Sequence, residues 1–118
     1  MDELDMKRRT KEFALRAMKL ADALPKTAAG RAIAGQLVRA ATAVAANYRA
    51  ACRARSGADF RNKLAICEEE SDESAFWIEL AADAALIPPT RLKELLFEAN
   101  ELTAILVASR RTSARNRP

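Results

Sequence analysis

Apolar residues recur every three or four positions along four stretches of the chain, and prolines and a glycine separate these stretches. The breaks fall at Pro25, at Ser56–Gly57 and at Pro88–Pro89. Proline interrupts a helix because it lacks a backbone N–H and its ring clashes with the preceding turn. The periodicity predicts four helices, over residues 3–24, 28–54, 58–87 and 90–109.

Residues at the start of these segments support the predicted boundaries. Thr27 can cap the second helix, and Ser56 followed by Asp59 resembles a capping box at the start of the third. Pro89 suits the first turn of the fourth helix. Because the connections are short, neighbouring helices should run in opposite directions. We therefore expect an all-α fold, an antiparallel up-down-up-down four-helix bundle, in which residues 1–109 form one domain.

Composition favours the same fold and excludes several chemistries. The 118 residues include 27 alanines but only 3 glycines and 4 prolines, and half are apolar, which is enough for a packed core. The absence of histidine excludes Ser-His-Asp and Cys-His triads and histidine zinc sites. We predict a protein that is not an enzyme and that binds no metal and no cofactor.

The two cysteines lie on either side of the turn between the second and third helices. In a regular hairpin Cys52 and Cys67 would be offset by about 10 Å along the axis, which is too far for a disulfide. We expect both to act as small core residues.

We expect no membrane-spanning segment and no signal peptide in the sequence. No apolar run reaches the roughly 18–20 residues that a span needs. The first five residues are acidic and lack the apolar region of a signal peptide. We expect a cytoplasmic protein without a membrane partner.

The third helix carries more apolar surface than one core requires. Besides the stripe from Phe60 to Ile78, a second stripe contains the residues Ile66, Glu70, Glu73, Trp77 and Leu80. Both stripes could pack inside one bundle, because a central helix contacts two neighbours. Alternatively, the second stripe is a subunit interface anchored by Trp77.

Charge is distributed unevenly along the chain, whose net charge is +4. On a helical wheel four arginines of the second helix lie opposite its apolar side and form a basic ridge: Arg31, Arg39, Arg49 and Arg53. This ridge is either a solvated helix face, a phosphate-binding surface or a contact for the acidic stretch, residues 68–83, of another subunit.

The last residues are basic and lack apolar periodicity. Residues 110–118 contain Arg110, Arg111, Arg115 and Arg117 and no acid. We expect a flexible basic tail, which is either a nucleic-acid arm or a solubilising end.

The central part of the chain resembles a known family. The similarity lies in Asn47-Tyr48-Arg49-Ala50-Ala51, Arg53-Ala54-Arg55-Ser56, Asp59-Phe60, Lys63-Leu64, Glu69-Glu70-Ser71-Asp72-Glu73-Ser74 and Phe76-Trp77. These segments resemble the bacterial four-helix bundle proteins of the 23S rRNA intervening-sequence family, over roughly residues 10–108. Many members have Asn-Ile-Ala-Glu-Gly where this chain has its Asn47 segment.

The resemblance implies a homopentamer of bundles around a central channel. It also implies kinship with the accessory variability protein of diversity-generating retroelements, a basic pentamer that binds reverse transcriptase and nucleic acid. We hypothesise an oligomeric, non-enzymatic adaptor whose basic ridge and tail bind nucleic acid, with RNA favoured over DNA. Few aromatic residues are free for base stacking, so we expect weakly specific phosphate contacts. The alternative is a protein-interaction module that binds a partner such as a reverse transcriptase, without direct nucleic-acid binding.

Overall fold

The computed structural model describes residues 2–116, which contain four helices and no strand. The helices are α1 (Glu3–Ala23), α2 (Ala28–Ala51), α3 (Gly57–Asp83) and α4 (Pro89–Arg115). The all-α prediction is confirmed, with one helix in each predicted segment. None of these four helices combines the length and the apolar composition that a bilayer crossing requires.

The predicted start signals cap the helices. Thr27 Oγ1 accepts a hydrogen bond from the Gly30 N–H at 3.1 Å, and Ser56 Oγ accepts one from the Asp59 N–H at 3.0 Å. Pro89 occupies the first turn of α4. The side chains of Thr27 and Ser56 satisfy N–H groups that have no partner within the helix.

Helices α2 and α3 end earlier than predicted. Helix α2 ends at Ala51 rather than at residue 54, and α3 ends at Asp83 rather than at residue 87. The end of α3 is fixed by Ala85, which has a φ of 56°. The next N–H, that of Leu86, reaches back to the Ala81 carbonyl oxygen at 3.1 Å. A left-handed residue at the end of a helix is usually glycine. Because alanine occupies this position, the sequence does not indicate that α3 ends here.

Residues 110–115, which we predicted to belong to a flexible tail, instead continue helix α4. It continues to Arg115, well past the predicted end at residue 109. Two polar contacts to α3 support the extension, since Arg110 pairs with Glu68 and Arg61 donates to Ser113 Oγ at 3.3 Å. Polar contacts of this kind produce no apolar periodicity, which explains the error. Arg117 and Pro118 lie outside the described residues.

The helices pack mainly against the helices that precede and follow them in the chain. Helix α3 lies between α2 and α4, α1 packs on α2, and α1 makes only a small contact with α4. Arg9 bridges that last pair, because its Nε and Nη2 each donate to Glu98 at 2.7 Å. The result is a rod of 51 × 20 × 19 Å. Each helix contributes fully buried large side chains to the one core, among them Phe13, Leu37, Leu64 and Leu102.

Two buried serines line the side of α3 that faces the core. Ser74 Oγ donates to the Glu70 carbonyl oxygen, one turn earlier, at 2.8 Å, as the sequence predicts. Ser71 Oγ instead donates across to the Ala99 carbonyl oxygen of α4 at 3.0 Å. The second bond requires close approach of the two helices, which the small side chain of Ser71 allows.

Candidate nucleic-acid interface

An open groove of about 530 Å³ runs between α1 and α2 and is lined by cations. Lys7 and Lys11 border it on α1, while Arg49 borders it on α2 and Arg53 borders it in the turn just after α2. The remaining lining residues are small: Ala14, Thr42, Ala45 and Ala46. Among residues 2–116, none that lines this groove is acidic.

Helix geometry places these cations in two short rows. Lys7 and Lys11 are four residues apart on α1, so they are separated by about 6 Å along its axis, whereas Arg49 and Arg53 lie on either side of the end of α2 at Ala51. The buried stripe of α2, which includes Val44 and Tyr48, faces the core and directs Arg49 outward, and Arg53 is exposed in the turn that follows. The small residues between the rows leave room for a backbone to approach both.

Three of the four cations have no carboxylate partner within the described part of the chain. Lys7 contacts Glu3 at 3.4 Å, across an exposed pair that contributes little to stability. Lys11, Arg49 and Arg53 form no ion pair within residues 2–116. An uncompensated row of this kind attracts an anionic polymer and releases the counterions condensed on it.

A second groove, of about 380 Å³, adjoins the first and shares Arg49 and Arg53 with it. It adds Arg55 from the α2–α3 connection and Lys63 from α3. Asp59 also lines it and lies 3.8 Å from the Lys63 ammonium. The basic surface therefore widens from the α1–α2 groove, here called the cationic groove, towards the start of α3.

The four arginines of the predicted ridge, Arg31, Arg39, Arg49 and Arg53, do not form one continuous surface. Arg39 leaves it, because its guanidinium donates to Glu70 at 3.0 Å and to Glu73 at 2.5 Å on α3. Arg31 is exposed but lies 18 residues, or about 27 Å along the helix axis, from Arg49. Only Arg49 and Arg53 of the predicted ridge face the cationic groove.

Glu70 and Glu73, which both pair with Arg39, have pKa values that are shifted in opposite directions. Hydrogen bonding to Arg39 holds the pKa of Glu73 below its ordinary value. Burial, together with a hydrogen bond to Glu73, raises the pKa of Glu70 against the opposing effect of Arg39. Arg39 thus pairs with two carboxylates of α3 within the subunit.

The C-terminal arginines differ in their surroundings. Arg110 forms two hydrogen bonds with the Glu68 carboxylate, so it is engaged within the subunit. Arg111 is exposed on α4, and Arg115 donates to Thr112 Oγ1 at 3.3 Å. The fourth predicted contact, Arg117, lies outside the described residues.

The proposed interface stripe of α3 contacts its own subunit. Ile66, Trp77 and Leu80 are half-buried, and the last two pack against the core. The Trp77 indole N–H donates to Glu73 at 3.2 Å. Together with the Arg39 bonds to Glu70 and Glu73, these contacts favour the alternative in which both stripes of α3 pack within one subunit.

The cysteines form no reactive centre. Both are free; Cys67 is buried and Cys52 is half-buried. Burial raises the pKa of the Cys67 thiol to about 12, and burial also raises the pKa of Cys52. Within residues 2–116 no group of three or more potential metal ligands occurs.

Two residues of the cationic groove, Lys7 and Lys11, are not predicted from the sequence. Lys7 and Lys11 belong to a helix that also carries acids, so its overall charge pattern shows no ridge. Their spacing of four residues puts them on one side of α1, which is the available signal. The side of α1 that meets α2 depends on tertiary packing, which the sequence does not show.

Comparisons with known proteins agree on one family. A family model described as 23S rRNA-intervening sequence protein matches residues 2–108. A solved structure from Bacteroides thetaiotaomicron, titled a protein of unknown function from the S23 ribosomal protein family, is 29% identical with a TM-score of 0.80. The match covers 87% of this chain and 95% of that one. No curated protein matches the chain.

Proposed function

The chain belongs to the 23S rRNA intervening sequence protein family, and from this premise we propose that it is a non-enzymatic adaptor that binds nucleic acid, RNA before DNA, through the cationic groove. One observation carries the proposal: four cations face one groove whose lining contains no acid. Contacts from such side chains go to phosphates, so binding is only weakly sequence-specific.

The salt dependence of binding follows from the number of cations. Four phosphate contacts give a slope of log K against log salt of about −3.6 for a duplex and about −2.8 for a single strand. No aromatic ring lines the groove, so stacked bases contribute nothing there. Binding therefore weakens steeply as salt rises.

A double substitution in the groove with a matched control tests the proposal. Arg49→Glu with Arg53→Glu should weaken binding to every sequence and reduce the slope by about 1.8 for a duplex. Arg49→Glu alone and Arg31→Glu each change the net charge by two units on α2, so Arg31→Glu is the matched control for the single groove variant; it lies about 27 Å from Arg49 and should leave affinity nearly unchanged. Fluorescence titrations with RNA and DNA of equal length measure both.

Two outcomes would contradict the proposal in different ways. Equal losses from Arg31→Glu and from the groove variant would show a diffuse charge effect rather than a site. No binding by the wild-type protein at micromolar concentration and about 0.15 M salt would favour the protein-interaction module, which binds a partner such as a reverse transcriptase.

We also propose that the helices run up-down-up-down and that the subunits form a homopentamer. Cross-helix contacts support the alternating direction. Arg39 of α2 contacts Glu73 of α3, and Val44, further along α2, contacts Cys67, which lies earlier on α3. Residue numbers that rise along one helix and fall along the other indicate antiparallel helices. The pentamer rests on the family resemblance. Native mass spectrometry of the full chain measures the number of subunits, and a monomer would contradict it.

A further inference from the structure

The cationic groove and the second groove lie on opposite sides of α2. The first is bordered by α1 and the second by the start of α3, and Ala46, Arg49 and Arg53 line both. These three shared residues form a ridge between the two grooves. Apart from Arg49, α2 contributes only small side chains to the grooves: Thr42, Ala45, Ala46 and Ala50. The ridge is therefore low enough for one broad ligand to reach both grooves.

Cations border the outer side of each groove. Lys7 and Lys11 lie on the α1 side of the ridge, and Arg55 and Lys63 lie on the α3 side. Arg55 is exposed and forms no ion pair within residues 2–116. Lys63 has a long contact of 3.8 Å with Asp59. Together with the two arginines of the ridge, the described lining of the two grooves contains six cations and one acid.

The separation of the two grooves is of the same order as that of the two backbones of a duplex. Packed helices lie about 8–10 Å apart, so the centres of the grooves on either side of α2 are at most about 8–10 Å apart. The backbones of B-DNA border grooves about 6 and 12 Å wide, and the minor groove of duplex RNA is wide and shallow. One backbone can therefore lie in each groove while the α2 ridge faces the shallow groove between them.

The side chains that line the two grooves suit phosphates rather than unpaired bases. All of them are cationic or small except Asp59. Proteins that bind single strands combine a basic groove with aromatic rings on which the bases stack, and the described lining of both grooves has no such ring. Bases within a duplex stack on one another. Duplex RNA is recognised mostly by its shape and by contacts to phosphates and 2′-hydroxyls across its minor groove.

We propose that the nucleic acid bound at the cationic groove is double-stranded RNA, which straddles the end of α2 with one backbone in each groove. The inference rests on the proposed function and names the form of nucleic acid that the site takes. It assigns two further binding residues, Arg55 and Lys63, to the second backbone. Asp59 opposes that contact, because its carboxylate repels phosphate and pairs with Lys63.

The salt dependence of binding distinguishes a ligand in both grooves from a ligand in one. Six phosphate contacts give a slope of log K against log salt of about −5.4 for a duplex, whereas a duplex in the cationic groove alone gives about −3.6. One strand of that duplex, held by the four cations of the cationic groove, should bind more weakly and show a slope of about −2.8. Fluorescence titrations of the full chain with an RNA duplex of about two helical turns, and with one of its strands, measure both slopes.

Substitutions in the second groove give an independent test. Lys63→Glu should weaken binding of the duplex by roughly 5- to 10-fold, because one phosphate contact contributes about fivefold at about 0.15 M salt, and should leave binding of the single strand nearly unchanged. Lys93→Glu is the matched control, since Lys93 is exposed on α4 and lines neither groove. Asp59→Asn should raise the affinity for the duplex. Circular dichroism checks that the three variants are folded.

The outcomes separate this inference from the proposed function. A single strand that binds as tightly as the duplex would overturn the inference and leave the function standing, and so would equal losses from Lys63→Glu and Lys93→Glu. A DNA duplex that binds more tightly than the RNA duplex would overturn the assignment to RNA. No binding of any of these nucleic acids would contradict the proposed function itself.

Discussion

Alanine at Gly30 and alanine at Gly35 should change the stability of the fold in opposite directions. Gly30 is buried in the first turn of α2, where a Cβ atom would lie 1.9 Å from the Pro25 carbonyl oxygen and 2.9 Å from its carbon. Gly35 lies on the same helix but is exposed, and a Cβ atom there meets nothing within 4 Å. The two sites share a residue type and a helix and differ in their surroundings.

The expected magnitudes follow from two opposing effects. Alanine favours an interior helical position over glycine by about 0.8–1.0 kcal/mol. At Gly35 nothing opposes this gain, so Gly35→Ala should raise the free energy of unfolding by up to about 1 kcal/mol. At Gly30 the new methyl group forces the backbone of Pro25 to move, and overpacking of this kind costs about 1–3 kcal/mol. Because the overlap is with backbone atoms, the cost lies at the upper end of that range, and Gly30→Ala should lower the free energy of unfolding by about 2 kcal/mol.

Urea denaturation followed by circular dichroism measures both changes. The protein concentration must be the same for all three proteins, because self-association stabilises the folded state in a concentration-dependent way. Each kcal/mol corresponds to a shift in Tm of roughly 3–6 °C for a chain of this size. A Gly30→Ala protein as stable as wild type would refute the close approach of Pro25 to α2. A destabilised Gly35→Ala protein would refute the open space at that site.

Three further predictions concern side chains of α2 and α3. Ser74→Leu should lower the free energy of unfolding by about 1–3 kcal/mol because Ser74 is fully buried, and an unchanged thermal midpoint would contradict this. Since burial raises the pKa of Cys67 to about 12, iodoacetamide should alkylate only Cys52 in the native protein; equal labelling of both by mass spectrometry would contradict this. Arg39 holds the pKa of Glu73 low, so the stability from this pair is present above the ordinary glutamate pKa and is lost as the pH falls through the lowered value. The stability difference between wild type and Arg39→Ala should therefore shrink below about pH 4, whereas a difference independent of pH would be the contrary result.

Local signals in the sequence were sufficient for the helices and their starts. Thr27, Ser56 and Pro89 act at the predicted positions because capping depends on a few consecutive residues. The ends of the helices were harder to predict, since Ala85 makes a left-handed turn without glycine and the end of α4 depends on Arg110 contacting a distant helix. Such ends are decided by tertiary contacts.

The candidate site was only partly predictable for the same reason. Helical periodicity correctly directs Arg49 and Arg53 outward, but it cannot show which outward residue meets a partner on another helix. The partners of Arg39 are 31 and 34 residues away in the sequence. The contribution of Lys7 likewise depends on which side of α1 meets α2.

The order in which the helices pack has a consequence for how the chain folds. Almost all packing joins helices that are consecutive in the chain, and α1 meets α4 over a small contact that includes Arg9 and Glu98. Such local topologies fold within microseconds to milliseconds. Ribosomes add roughly 5–20 residues per second, so α1 and α2 can pair seconds before α3 is complete. During those seconds the side of α2 that later contacts α3 stays open to water, and the nascent chain is then most exposed to aggregation and to chaperones.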